Sequence, residues 1–256
     1  MNIIVPVKQV VDLVEELEID ESRKSLDPGC LRFILNESDN HAIEQALLVK
    51  EKTGGTVTVV GLDMREVDEP LFTAQAKGAD KILKFTGDYH EDINSRTFAK
   101  ILAGNMAAMT FDVILIGVQA SDDMDGQVGP VLASILKLPY VGVISSLEIE
   151  PSTKKAKVLK EYPGGVLAEL EISLPAVIGI QSAEQTPRYV AYSKVRAAMK
   201  SGSVEEVEVK DTEPVAPLDI KEMRKPEAAK EVKMIEGSEE DIAKALADII
   251  MEKIKV

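Results

Sequence analysis

This sequence is nearly devoid of cysteine, histidine and tryptophan, with one, two and none of them in 256 residues. A single thiol, Cys30, excludes an intrachain disulfide and a zinc site built on several cysteines, and we interpret it as a free thiol. His41 and His90 stand far apart in the sequence, which excludes a histidine-rich metal site. We therefore predict no metal site and assign no catalytic residue. A lone free cysteine is typical of a reducing, cytoplasmic environment.

Long hydrophobic runs and an excess of basic charge are absent as well. No apolar stretch approaches the roughly 20 residues that cross a bilayer, so we predict no membrane span. Residues 1–6 lack the basic and apolar regions of a secretory signal, and we expect no such leader. The formal net charge is −14 and aromatic residues make up 4% of the chain. A surface of this sign repels phosphate backbones and offers few rings for stacking, so nucleic acid is not an expected partner.

What the chain does contain is an alternation of short β-rich runs with helical patterns. The β-rich runs occupy residues 3–7, 56–62, 81–85 and 112–117. The helical patterns occupy residues 37–52, 69–78, 94–109 and 126–136. This alternation is typical of βαβ units and predicts an α/β fold, a mainly parallel sheet with helices on both faces.

The pattern changes after Pro139. Extended runs at 140–149, 155–162 and 166–173 predict antiparallel strands added to one edge of the sheet, and residues 175–180 predict one further strand in its core. We place a nucleotide-binding domain at residues 1–203. Residues 204–256 are predicted to form a charged, extended arm that ends in an amphipathic helix from Ser238 to Lys255. Such a helix must dock on its own chain or on another chain.

One loop carries a chemical signal. The buried-strand pattern of 113–117 is followed by a polar loop with Gly126 and Gly129, and then by a helical pattern. In a parallel sheet this loop lies where ligands bind, and a helix N-terminus offers free backbone N–H groups to a phosphate. Taken alone, however, the loop is more simply interpreted as an ordinary connection. Its three aspartates would repel a phosphate unless they face sugar hydroxyls or solvent.

Neighbouring motifs make the loop more specific. They are Val5-Pro6-Val7-Lys8, Leu35-Asn36-Glu37-Ser38-Asp39, Ala76-Lys77-Gly78-Ala79-Asp80, Gly117-Val118-Gln119-Ala120, Leu174-Pro175-Ala176-Val177 and Pro187-Arg188-Tyr189. With these motifs the chain resembles the β subunit of electron-transfer flavoproteins along nearly its whole length. The resemblance implies a fold of the adenine-nucleotide α-hydrolase type without hydrolase activity. It also implies a heterodimer with an α subunit that carries a redox-active FAD.

The resemblance further implies a nucleotide pocket in this chain. Residues 127–130 are similar to the electron-bifurcating members, which hold a second FAD in the β subunit and connect NADH, a dehydrogenase and a low-potential acceptor such as ferredoxin. We therefore expect FAD, with a structural AMP as the alternative. The expected cofactor-binding residues are Pro6, Asn36, Asp39, Leu62, Asp122, Asp123, Met124, Asp125, Gly126, Gln127, Val128 and Gly129.

The segment 187–200 resembles the loop with which these β subunits dock onto a partner dehydrogenase. The residues expected to dock are Pro187, Arg188, Tyr189, Tyr192 and Met199. An exposed amphipathic turn without a partner is the alternative interpretation of this segment. For the whole chain, a stand-alone nucleotide-binding signalling module is the less favoured alternative, because such a module would need neither the antiparallel insertion nor the long arm.

Overall fold

The computed structural model describes residues 1–89, 93–209, 213, 215, 219–226 and 234–254. His90, Lys255 and those parts of the predicted arm that fall between these ranges lie outside the described residues. The strands are β1 (Asn2–Pro6), β2 (Gln9–Val11), β3 (Phe33–Leu35), β4 (Thr56–Leu62), β5 (Lys81–Thr86), β6 (Val113–Gly117), β7 (Tyr140–Glu150), β8 (Lys155–Tyr162), β9 (Val166–Ser173), β10 (Ala176–Ile180) and β11 (Glu205–Glu208). The α-helices are α1 (Glu37–Thr53), α2 (Asp68–Lys77), α3 (Ser95–Met106), α4 (Val128–Leu136), α5 (Tyr192–Ser201) and α6 (Glu239–Ile254).

The main sheet has nine strands in the order β11-β5-β4-β1-β6-β10-β7-β8-β9. All neighbours from β11 to β7 are parallel, whereas β8 and β9 are antiparallel additions at one edge. This confirms the predicted fold class, a mainly parallel sheet with an antiparallel edge insertion. Strand β7 has both kinds of neighbour: it is antiparallel to β8 but parallel to β10.

Helices cover both faces of the sheet. Alternate residues of a strand point to opposite sides, so each inner strand contributes apolar side chains to both faces. Ile3 and Val5 of β1 face a core shared with α1, α2 and α5. Ile4, between them, faces a second core shared with α3 and α4. All five residues of β6 are buried, as the unbroken apolar run at 113–117 indicated. The structure therefore has two cores with the sheet between them.

Four of these strands and helices were not predicted from the sequence. Strands β2 and β3 form a separate antiparallel pair in which Val10 faces Ile34. Helix α5 occupies most of the segment for which the sequence predicted a docking loop. Strand β11 pairs with β5 beyond residue 203, so the charged arm begins as an edge strand of the sheet. Its Glu206 lies 3.2 Å from Lys84 of β5, and this pair helps to hold an otherwise acidic strand in place.

The rest of the described arm is extended and follows the surface. The Met223 N–H donates to the Arg23 carbonyl at 2.7 Å, and Arg23 forms an ion pair with Glu222 at 2.6 Å. Helix α6 ends the described chain, and none of its residues at 239–254 is buried. Within the described ranges, no helix is long and apolar enough to span a membrane.

Candidate nucleotide site at the carboxyl edge of the sheet

Two adjoining hollows lie at the edge where β1, β4 and β6 end. The first, which we name the β6 hollow, lies between β1 and the loop after β6 and encloses about 310 Å³. The second, the β4 hollow, lies between β1 and the end of β4 and encloses about 440 Å³. Lys8 and Phe98 line both of them. This is the edge at which open α/β sheets bind ligands.

The structure brings eight of the twelve expected cofactor-binding residues to these hollows. In the β6 hollow lie Pro6, Asn36, Asp39, Asp123, Gly126 and Val128. In the β4 hollow lie Leu62 and Asp122. The remaining four, which belong to the same loop and helix start but line neither hollow, are Met124, Asp125, Gln127 and Gly129. Their contact with a cofactor stays a prediction, as it does for the other eight.

Asp39 is the centre of a buried polar network at the start of α1. Its carboxylate accepts the Lys8 N–H at 3.0 Å and the Gly117 N–H at 3.1 Å, so it joins the ends of β1 and β6. Asn36 precedes α1, and its side chain donates to the Gln119 carbonyl at 2.9 Å rather than capping the helix. The N-terminus of α1 is thereby tied to the loop that follows β6.

This tight packing has two consequences for Asp39. A side chain at Gly117 would overlap the Asp39 carboxylate and the backbone of Ser38, so only glycine fits there. Burial raises the pKa of Asp39 to about 7, although its hydrogen bonds and the charge of Lys8 act in the opposite direction. Asp39 is therefore a carboxyl group that takes up a proton near neutral pH beside the β6 hollow.

The loop between β6 and α4 is held by hydrogen bonds among its own polar residues. Ser95, at the start of α3, lies 3.1 Å from an Asp123 oxygen and 2.8 Å from an Asp125 oxygen. Asp125 also accepts the Gln127 N–H at 3.1 Å, so one backbone donor predicted for a phosphate is already bonded within the loop. Gly126 has a φ of 60°, a left-handed conformation that favours glycine.

Gly129 has a packing role. A Cβ at this position would lie 2.7 Å from the ring of Tyr140, which packs against the first turn of α4. This contact explains why glycine is needed there without reference to a ligand. The close approach to a cofactor that the sequence predicted for Gly129 remains a prediction.

Two basic residues stand at the hollows that the expected site did not include. Lys8 follows β1 and lies 2.7 Å from Asp122 and 3.2 Å from Asp123. Arg65 follows β4, lies 3.6 Å from Asp122 and stacks over the Phe33 ring at 4.8 Å. Lys8 was visible in the sequence as the basic residue after the first strand. Arg65 gave no signal beyond its place after a predicted strand.

The lining of the two hollows fits a nucleotide. Phe98, Ile116 and Leu62 offer apolar surface for a planar base. Lys8 and Arg65 offer cations for phosphate, and the start of α4 offers backbone N–H groups. A few convergent polar groups in an otherwise apolar cleft are typical of cofactor sites. Among the residues that the structure describes, no cluster of side chains is arranged to hold a metal ion.

The segment expected to dock a partner is anchored to α1. The Arg188 guanidinium lies 2.8 Å from Glu44, which is 2% exposed, and 2.8 Å from Glu51. Burial alone would raise the pKa of Glu44, but the hydrogen bonds and charge of Arg188 outweigh it and lower that pKa. His41, to which the sequence analysis gave no catalytic role, accepts the Ala183 N–H at 3.1 Å. Arg188 is thus engaged within its own chain.

Of the other docking candidates, Pro187 is half-buried and the remaining three face solvent. Tyr189 is 89% exposed and Tyr192 is 62% exposed, and Met199 is exposed as well. Only one side chain of α5, that of Val195, is buried, and it holds the helix against the rest of the chain. Arg196 lies 5.9 Å from the centre of the Tyr192 ring. The structure therefore presents two tyrosines and a methionine on one exposed segment.

Comparison with known proteins assigns the chain to a family. Residues 31–212 match the family model described as the electron transfer flavoprotein domain. The chain belongs to the electron transfer flavoprotein family, and its relatives are β subunits.

These relatives match over most of their length. The electron transfer flavoprotein subunit beta of Bacillus subtilis is 31% identical over 262 residues, which cover 100% of both chains. The Methylophilus methylotrophus subunit beta is 34% identical and covers 82% of this chain and 80% of its own length. The Syntrophomonas wolfei subunit beta is 35% identical, with 78% and 77% covered. The resemblance found from motifs alone is confirmed.

Proposed function

We propose that this chain is the β subunit of a heterodimeric electron-transfer flavoprotein whose carboxyl-edge site binds FAD. The heterodimer passes electrons between NADH, a partner dehydrogenase and a low-potential acceptor such as ferredoxin, in an electron-bifurcating manner. The α subunit carries a second FAD. The flavin supplies the redox chemistry, and this chain binds and orients it and controls its surroundings.

The observation that carries the proposal is the pair of adjoining hollows on either side of β1. Both combine apolar side chains with a few charged ones, as cofactor clefts do. Lys8 and Phe98 line both hollows, so the two adjoin, and a dinucleotide such as FAD needs the space of both.

The alternative is a structural AMP with all electron transfer through the α-subunit FAD. One observation favours it: Lys8, which lines both hollows, is paired with Asp123 of the β6 hollow and Asp122 of the β4 hollow, and we infer that these ion pairs form a barrier between the two. With this barrier in place, each part of the groove suits a smaller ligand than FAD. The two candidates therefore differ in whether the barrier opens.

Unburied apolar surface supports the pairing with an α subunit. Helix α6 exposes Leu246, Ile249 and Ile250, and Ile254 at its end is 69% exposed. Strand β9 is the last strand of the sheet and also carries exposed apolar residues. Apolar stripes of this kind mark interaction surfaces. A stand-alone signalling module would have no use for them.

The exposed segment with Tyr189, Tyr192 and Met199 is the proposed docking site for the dehydrogenase. Aromatic side chains and methionine are enriched in the cores of protein interfaces. The anchoring of Arg188 to Glu44 and Glu51 supports this proposal, since it fixes the backbone that presents the tyrosines.

Nucleotide extraction tests the proposal. The co-expressed heterodimer is denatured and the released nucleotides are separated and quantified by chromatography. Two FAD per heterodimer is the expected result. One FAD and one AMP would replace bifurcation by the structural alternative, and a heterodimer with no nucleotide beyond one FAD would overturn the assignment of this edge as a nucleotide site.

A second experiment tests the pairing through α6. We expect Ile250→Asp to prevent heterodimer formation on size-exclusion chromatography while leaving the melting temperature of the isolated chain unchanged, because Ile250 is exposed there. Lys244→Asp on the polar side of the same helix is the matched control and should assemble normally. Assembly of both variants would place the α subunit elsewhere on this chain.

A further inference from the structure

Ion pairs connect Lys8 and Arg65 to the acidic loop where the two hollows adjoin. Lys8 Nζ lies 2.7 Å from Asp122 Oδ1, and Arg65 Nη1 lies 3.6 Å from Asp122 Oδ2. Lys8 lines both hollows, and Arg65 and Asp122 line the β4 hollow. One carboxylate thus bridges the two cations that flank the groove.

These cations are what a phosphate needs. Guanidinium and ammonium groups form strong charge-assisted hydrogen bonds to phosphate oxygens, and the same groups bind carboxylates. A phosphate in the groove and the Asp122 carboxylate would therefore use the same donors. A cation that moves towards a bound phosphate moves away from Asp122, so the carboxylate and the phosphate compete for the same charges.

We infer that Lys8 and Arg65 bind the phosphate of the nucleotide, and that Asp122 is an internal competitor which the phosphate displaces. The inference rests on the proposed function, in which this edge holds a nucleotide. It gives roles to two residues outside the expected site. It also reverses the role expected for Asp122, which neutralises the two cations until a phosphate replaces it and does not contact the bound nucleotide.

Asp122 differs from its neighbour Asp123 in a way that supports this role. Asp123 accepts the Ala120 N–H at 3.3 Å and lies 3.1 Å from the Ser95 hydroxyl, so it is built into the loop as well as paired with Lys8. Asp122 is held through the two cations, and its side chain is more exposed than that of Asp123. Its carboxylate is free to leave without breaking the loop.

The test is a calorimetric titration of the nucleotide-free heterodimer with AMP and, separately, with adenosine. Asp122→Asn keeps the side-chain shape but frees the cations, and we expect AMP to bind about two- to fivefold more tightly. Lys8→Met should weaken AMP binding about tenfold. Adenosine has no phosphate, so neither change should alter its affinity.

The double variant makes the test sharper. If Asp122 acts through Lys8, then Asp122→Asn added to Lys8→Met should recover much less affinity than it adds to the wild type. Asp63→Asn is the matched control, because it removes one carboxylate at the end of β4 that pairs with Lys84 and lines neither hollow. This control should leave AMP affinity unchanged.

Several results would overturn the inference. Weaker AMP binding by Asp122→Asn would make this carboxylate a ligand contact, and an equal change for adenosine would remove phosphate from the explanation. An equal gain from Asp63→Asn would reduce the effect to overall charge. If Lys8→Met fails to assemble, the Asp122→Asn titration alone decides. A wild-type heterodimer that binds neither AMP nor FAD would instead overturn the proposed function.

Discussion

The candidate nucleotide site at the carboxyl edge of the sheet (the nucleotide edge) and the proposed docking segment (residues 187–200) are both attached to α1, but they are built in opposite ways. At the N-terminal end of α1, Asn36 and Asp39 are buried and hydrogen-bonded to the backbone of neighbouring loops. Further along the helix, Glu44 holds Arg188, and beyond it the tyrosines of the docking segment lie in solvent. One region is closed over its own polar groups, and the other presents apolar surface outwards.

This difference separates what the chain completes by itself from what it leaves to other molecules. Buried polar groups must be paired within the fold, since an unpaired one costs about 1–3 kcal/mol. The nucleotide edge meets that condition and is pre-organised. In the isolated chain, the exposed tyrosines and the apolar stripe of α6 contribute no free energy of burial. They contribute it only when another protein covers them.

The largest effect is expected from overfilling the nucleotide edge. Gly117→Ala places a methyl group against Asp39 and the backbone of α1, which cannot yield as a flexible side chain would. We expect a loss of about 3 kcal/mol in the free energy of unfolding, measured by urea denaturation. Gly104→Ala is the control: Gly104 lies in the exposed part of α3 with open space around it, and alanine should stabilise by about 0.5–1 kcal/mol. Equal stability of both variants would mean that the edge is not tightly packed.

The anchor of the docking segment is expected to matter next. Arg188→Met leaves Glu44 buried without its partner and should cost about 2 kcal/mol of stability, less than a fully buried pair because Arg188 is partly exposed. Glu51→Gln breaks only the exposed half of the same network and should cost under about 0.5 kcal/mol. Chemical denaturation of both variants measures the difference. Equal losses would show that burial of Glu44 is not what makes the anchor strong.

A pH effect should be specific to the nucleotide edge. Because burial raises the pKa of Asp39 to about 7 from the usual 3.8, the folded state binds this proton more tightly than the unfolded state. The contribution of Asp39 to stability is therefore fully present below about pH 4, falls as pH rises, and levels off above about pH 7. The difference in unfolding free energy between wild type and Asp39→Asn should show that slope. Subtracting the variant cancels other carboxyl groups. A difference that does not change with pH would place the pKa of Asp39 in its ordinary range.

The smallest effect on the isolated chain, and the most selective in function, is expected at Tyr192. Its exposure predicts a stability change under about 0.5 kcal/mol for Tyr192→Ala. Electron transfer to the dehydrogenase should weaken while the nucleotide content of the heterodimer stays the same. Tyr162→Ala, an exposed tyrosine on β8, is the control and should leave this coupling intact. Loss of nucleotide from the Tyr192→Ala heterodimer would instead link Tyr192 to the nucleotide edge and contradict its docking role.

Much of the fold was predictable because its elements are long and strongly patterned. The predicted runs 56–62, 155–162 and 166–173 coincide with β4, β8 and β9. Helix α5 was missed although Tyr192, Val195 and Met199 recur at helical spacing, because the segment was interpreted from its resemblance to a docking loop. Strand β11 was missed because three of its four residues are glutamates, and what places it is backbone pairing with β5.

The site was predictable only where residues belong to recognisable motifs. Asn36 and Asp39 were expected at the nucleotide edge, and the structure brings them there. Arg65 could not be expected at the site. Its role depends on three-dimensional proximity to Asp122, which lies 57 positions further along the chain. The pairing of Asp122 with two cations likewise could not be predicted, since the sequence shows only an acidic loop.

The anchoring of Arg188 from inside the protein has a consequence for how such proteins diversify. Its guanidinium is bound by carboxylates of α1, so the support of the docking segment is separate from the side chains that the segment shows to solvent. Tyr189 and Tyr192 can be exchanged for other residues at little cost to folding, because most of their surface is exposed. With the proposed docking role, selection for a new partner can change these exposed side chains while the scaffold is inherited unchanged.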